Sequence, residues 1–187
     1  MSTAIDNLEH KPAFQEIGSY MLRIGRQAKA AATAMARAAT GQKNGVLFAF
    51  ADQLTESRDQ IMAANAEDLD AAREAGLAPA LMDRLQLTDS RFTTMVDGVR
   101  QVAALPDPIG EIIDLKPRPS GIEVGHMRVP LGVIGIIYES RPNVTADAAG
   151  LCLKSGNAVV LRGGSEAFRT NCLIADVLRD AATTIPR

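Results

Sequence analysis

Cysteine is scarce in this chain: there are only two, Cys152 and Cys172, and both fall in segments that read as helix. That excludes a disulfide framework and favours reduced thiols in a reducing compartment. Histidine is as sparse: His10 and His126 are isolated, and two such positions are too few for a metal site, so they read as surface or hairpin residues. Neither sign of charge dominates, because 20 Lys and Arg face 22 Asp and Glu for a net charge of -2. The electrostatic reason for a nucleic-acid or anionic-membrane partner is therefore missing. No apolar run nears the roughly 18 residues that span a bilayer. Met1 to Pro12 carries Asp6, Glu9, His10 and Lys11 where a secretory signal would be basic and then apolar. The expectation is a cytoplasmic chain with a small-molecule ligand, and no repeat or low-complexity segment suggests otherwise.

What is present suits a folded domain: 187 residues with 47% hydrophobic content supply one medium core. Residues 1–105 read as a helical layer. Ile17, Tyr20, Met21, Ile24, Ala28, Ala31 and Met35 recur at helical spacing as a stripe that has to pack on something. Thr40, Gly41, Asn44 and Gly45 read as punctuation before a second amphipathic helix through Val46, Leu47, Phe50, Ala51 and Leu54. Asn65 followed by Asp68 reads as a helix start and Gly76 as its left-handed stop. A further helix should begin at Thr88, turn Phe92, Met95, Val96, Val99 and Val102 inward, and end before Pro106.

After Pro106 the period falls to two. Residues 106–130 read as a β-hairpin that turns at Pro117 to Gly121, with Ile122, Val124 and Met127 alternating on its second arm. From residue 131 to 187 the pattern changes again. Leu131 to Ile137 is a short branched apolar run suited to a fully buried parallel strand; Asn143 to Ser155 reads as helix, Ala158 to Leu161 as strand, Asn171 to Ala182 as helix. The fold class expected is α/β: a helical layer, a hairpin, then the first half of a doubly wound parallel sheet with right-handed crossovers. Two strands do not complete such a sheet, so the chain is expected to be a fragment of a longer product.

Polar clusters follow both strands. Tyr138 to Asn143 lies where ligands bind in open parallel sheets. Asn143 either helps start the following helix or holds its amide as a donor for a developing oxyanion. Arg162, Gly163, Gly164, Ser165 and Glu166 follow the second strand. The glycines mark a turn or a close approach to a ligand; Glu accepts from ribose hydroxyls and Arg can hold an added 2′-phosphate. No GxGxxG follows the first strand, so the common dinucleotide fingerprint is absent. Cys152, late in a helix, meets the negative end of the dipole and is a poor thiolate; Cys172 has only Arg169 as a basic neighbour, and both read as structural. Lys154 reads as a complement to the same dipole end.

The run VPLGVIGIIYESRPNVTADAAGLCLKSGNAVVLRGGSEA, Val129 to Ala167, closely resembles the gamma-glutamyl phosphate reductase family, relatives of the aldehyde dehydrogenases. The helical stretch NAEDLDAAREAG resembles it too. The resemblance implies NADPH-dependent reduction of L-glutamyl 5-phosphate to L-glutamate 5-semialdehyde, with release of phosphate, on the route to proline. It implies an enzyme cysteine that attacks the acyl phosphate and lies in a later catalytic domain absent from this chain. Asn143 matches the superfamily's oxyanion amide, and Arg162 to Glu166 match the segment that holds the adenosine ribose, with Arg162 and the double glycine in place of the usual Lys. Arg141 is the candidate for the substrate phosphate, and the hairpin is expected to serve homo-oligomer contacts. The competing reading is a non-catalytic binding or assembly module that lacks the nucleophile.

Overall fold

In the computed structural model, which describes residues 12–183, helix α1 (Pro12–Met35) runs across the two-stranded sheet β3 (Val133–Ile137) and β4 (Ala158–Arg162). The leader with His10 lies outside the described residues. Only part of the apolar stripe on α1 is covered: Ala28 is buried, whereas Ile17, Tyr20 and Met21 are 58%, 53% and 54% exposed. The stripe instead borders an open apolar trough with Ala149, Val159, Leu161 and Leu178.

Helix α2 (Thr40–Glu56) includes the residues expected to punctuate before it, Gly41, Asn44 and Gly45. The break falls earlier, at residues 36–39, where Gln42 Oε1 accepts from the Ala39 amide at 3.0 Å and steadies the first turn. Helix α3 (Arg58–Glu74) corrects a second expectation, because Asn65 lies in its middle instead of at its start. Buried there, the amide donates to Leu85 O at 3.0 Å and accepts from the Leu87 amide at 2.8 Å, which pins the next connection. Gly76 does close α3: at φ 72° it lets Leu77 N reach Ala72 O (2.9 Å) and its own N reach Arg73 O (3.0 Å), a pair of bonds that satisfies the last carbonyls.

A short helix that the periodicity did not reveal, α4 (Pro79–Leu85), starts on Pro79. Helix α5 (Asp89–Ala104) begins as expected, with Thr88 Oγ1 accepting from Arg91 N at 3.2 Å. The core forms where Leu47, Phe50, Ala51 and Leu54 of α2 meet Phe92, Met95, Val96 and Val99 of α5. Ala146 of α6 (Asn143–Lys154) and Ile174 and Val177 of α7 (Phe168–Thr183) close it.

The hairpin pairs β1 (Ile112–Pro117) with β2 (Glu123–Met127) antiparallel, in register Ile112↔Met127 and Lys116↔Val124. Asp114, at φ 55°, sits in the irregularity between Ile113 and Lys116, so the alternation breaks there. Every hairpin position is exposed. Strand β3 pairs parallel with β4 from Val133↔Ala158 to Ile137↔Arg162, with α6 as the crossover. Its expected full burial is corrected, since Val133 is 43% and Ile137 80% exposed. Exposure alternates along β3, because successive side chains point to opposite faces of the sheet and one of those faces is less covered among the described residues.

Candidate functional site

Because β3 and β4 run parallel and in step, the segments leaving them, 138–142 and 163–167, emerge at one rim of the sheet. Tyr138 N still reaches Arg162 O at 3.1 Å, one residue beyond the strands. The chain then turns sharply at Ser140, whose φ of 47° is the left-handed region that a residue with a Cβ seldom occupies. That conformation aims both the backbone N–H and the Oγ of Ser140 at Glu166 Oε1, each at 2.6 Å. Burial pushes the Glu166 carboxyl up, but the Ser140 bonds and the nearby Arg162 guanidinium outweigh it and leave it below its ordinary value, hence ionised at neutral pH.

A second link runs beneath the first. Thr145 Oγ1 donates to Asn171 Oδ1 at 2.9 Å, so its single proton is used and it accepts from the Tyr138 hydroxyl at 2.6 Å. Burial raises the Tyr138 phenol above its ordinary value and keeps it a donor. The Asn171 amide fills the place where a Gly163 Cβ would stand, and the Glu166 carboxylate fills that of Gly164. The paired glycines thus make room for the chain's own side chains, which lock the second loop against the first.

The expected site residues divide between two hollows on this rim. Arg162, Gly164, Ser165 and Glu166 line one of about 330 Å³, together with Tyr138, Ser140, Leu77 and Leu81. Gly163 lies just behind it, against Asn171 and Tyr138. Arg141 and Asn143 open into another of about 360 Å³, between α6 and the α4–α5 region, with Arg84, Arg91, Asp83 and Asp147. The segment 138–143 is the wall between them.

Asn143 makes no capping bond to the start of α6; its Nδ2 donates to Asp147 Oδ2 at 2.9 Å, one turn along. Burial raises the Asp147 carboxyl, with that hydrogen bond opposing. The four-residue spacing that brings these two side chains to one helix face was readable in the sequence.

Cys152 is buried, which pushes its thiol up and fits the structural reading; Cys172 is exposed on α7. Lys154 is more than a complement to the helix dipole: buried, it donates to Asn44 Oδ1 at 2.6 Å and Ala103 O at 2.8 Å, tying α6 to α2 and α5. Beside it Lys43 pairs with Asp107 at 2.5 Å. His126 is exposed in the hairpin, and among the described residues no group of three His, Cys, Asp or Glu is placed to hold a metal. No helix among them is long and apolar enough to cross a membrane.

Two parallel strands joined by a crossover helix, with polar loops at their carboxyl ends, form an α/β unit of the doubly wound type. Its geometry is that of the aldehyde dehydrogenases: a NAD-dependent benzaldehyde dehydrogenase from Corynebacterium glutamicum superposes with a TM-score of 0.63 at 23% identity, covering 85% of this chain and 32% of that one. No protein-family model matches the chain. Similarity is much greater to the gamma-glutamyl phosphate reductase of Thermotoga maritima, with a TM-score of 0.83 at 42% identity over 87% of this chain. The gamma-glutamyl phosphate reductase of Saccharomyces cerevisiae gives a TM-score of 0.84 at 32% identity over 87% of this chain. The chain spans only 39% and 41% of the length of these two proteins. Over the region it spans, the chain is similar in both fold and sequence to these two gamma-glutamyl phosphate reductases.

Proposed function

We propose that this chain is the cofactor-binding half of an NADPH-dependent reductase that converts L-glutamyl 5-phosphate to L-glutamate 5-semialdehyde and releases phosphate, in proline biosynthesis. The observation that carries the reading is the pair of loops at one sheet rim, locked by Ser140 and Glu166, in a chain 42% identical to a gamma-glutamyl phosphate reductase. Arg162 to Glu166 suit the adenosine ribose phosphate: a guanidinium for the 2′-phosphate, and the Ser165 hydroxyl and Glu166 carboxylate for sugar hydroxyls. The cofactor, when bound, supplies hydride to an acyl group. Arg162 and the ionised Glu166 partly balance each other, so the loop presents a directed cation instead of a diffuse positive field.

Asn143 is assigned the oxyanion donor. Asp147 accepts one proton of its amide, which leaves the other for a ligand in the hollow that Asn143 lines. Arg141, which lines that hollow, is assigned to the substrate phosphate. The attacking cysteine is assigned to a part of the enzyme outside this chain, because Cys152 is buried with a raised thiol and the exposed Cys172 lines neither hollow. We assign residues 1–105 to the helical part of the cofactor domain and 131–187 to the start of its sheet. Residues 106–130 are assigned to homo-oligomer contacts through the exposed Ile112, Leu115, Ile122, Val124 and Met127. The compartment assigned is the cytoplasm. Those exposed apolar residues also favour the second reading, an assembly module without turnover.

The test is nucleotide titration followed by cofactor fluorescence. Arg162→Ala should weaken NADPH by about 10-fold or more, the weight of a charge-assisted hydrogen bond, and leave NADH nearly unchanged. Equal losses for the two would remove the 2′-phosphate assignment.

A further inference from the structure

The hollow between α6 and the α4–α5 region holds charges of both signs that the protein does not match with one another. Asp83 is satisfied, since Arg91 meets its two carboxylate oxygens at 3.1 Å each. Asp147 is different: half-buried, it accepts only the neutral amide of Asn143, and no cation among the described residues accounts for its state. Arg84 and Arg141 line the same hollow and form no ion pair among the described residues. A carboxylate without a cation and two guanidinium groups without carboxylates share a volume of about 360 Å³, within the roughly 300–1,000 Å³ typical of small-molecule sites.

We infer that this hollow receives the amino-acid end of the substrate, with Asp147 accepting its α-ammonium group and Arg84 its α-carboxylate. The inference rests on the reductase reading, which supplies the substrate class, and it adds the residues that would select an α-amino acid over a plain dicarboxylate. The chemistry is complementary in sign at each end. A dianion alone would gain from Arg84 and Arg141 but meet Asp147 unscreened, whereas a zwitterion pairs both partners. A half-buried carboxylate that burial already penalises gains more from an incoming cation than an exposed one would. Asn143 lines the same hollow and bonds Asp147, so a substrate anchored at that carboxylate has the proposed oxyanion amide beside its anchor. Asp147 is thus a specificity residue and, through Asn143, a positioning residue.

The test compares three probes, L-glutamate, glutarate (no ammonium) and 4-aminobutyrate (no α-carboxylate), by amide chemical-shift perturbation and affinity on the chain and two variants. L-Glutamate should shift Arg84, Asn143 and Asp147 and bind about 10-fold more tightly than glutarate, as a charge-assisted hydrogen bond predicts. Asp147→Asn should bind glutamate and glutarate equally. Arg84→Ala should erase the preference for glutamate over 4-aminobutyrate. An unshifted hollow, or an intact preference for glutamate over glutarate in Asp147→Asn, overturns the inference. A parallel NADPH titration separates the two readings: shifts at Arg162 to Glu166 with no response to glutamate refute only the subsite. Glutamate discrimination without any NADPH response refutes the cofactor assignment instead.

Discussion

Asp68 offers the sharpest test of how the rim is held. Only 2% exposed on α3, its carboxylate accepts from Thr170 N at 2.9 Å and Thr170 Oγ1 at 2.7 Å, at the start of α7, and more loosely from Arg169 N at 3.3 Å. Asn65, one turn back, donates to Thr170 Oγ1 at 3.4 Å, so two side chains of α3 grip the residues that follow the Gly163–Glu166 loop. Asp68→Ala removes two buried hydrogen bonds to a charged acceptor, each worth about 1.5–3 kcal/mol, and strands the Thr170 N–H and hydroxyl. Relief of the carboxylate's own desolvation returns part of that, and the half-exposed Arg169 guanidinium adds little, so the net loss should be about 3–5 kcal/mol. Against a typical total of roughly 5–15 kcal/mol, the midpoint of thermal unfolding should fall by about 6–20 °C. Urea unfolding followed by circular dichroism measures it, with Asp68→Asn, which keeps one acceptor oxygen, losing less. A loss under about 1 kcal/mol for Asp68→Ala would mean that α7 is seated by its apolar face alone.

Asp107 should govern part of the acid sensitivity. Burial raises its carboxyl, but hydrogen bonds from Lys43 and Thr40 outweigh this and hold it near a pKa of about 2, below the ordinary 3.8. A carboxyl depressed in the folded state stabilises above its unfolded pKa and loses that contribution as pH falls. Denaturant midpoints should therefore drop between about pH 4 and 2, by about 2 kcal/mol in all, a slope that Asp107→Asn abolishes. At Gly163 a methyl group would collide with the Asn171 amide, so Gly163→Ala should cost about 1–3 kcal/mol. In the double variant with Asn171→Ala the two losses should be less than additive by at least about 0.5 kcal/mol; strict additivity in a chemical-denaturation cycle would show that the two residues do not meet.

The elements that could be read from the chain are those whose signal is periodic or covalent: the α5 stripe with its Thr88 cap, the Gly76 stop, and the βαβ order from Val133 onward. Each depends on neighbours within a turn or two, so a local pattern is sufficient evidence. Asn65 and Asp68 misled because a residue that caps helices is also one that can bridge them; their partners, Leu87 and Thr170, lie 22 and 102 positions away. Lys154 and Asp107 were opaque for the same reason, since burying a charge is tolerable only where a distant chain segment supplies its partner. At the rim, residue type and strand-end position marked Arg141, Asn143 and Arg162 to Glu166, yet nothing local indicated that the 138–143 segment would stand as a wall with a hollow on either side. That division comes from Ser140: a left-handed turn held by Glu166 decides which side chains face each hollow. The orientation of the candidate side chains on this rim therefore depends on one serine whose backbone angle no sequence periodicity encodes.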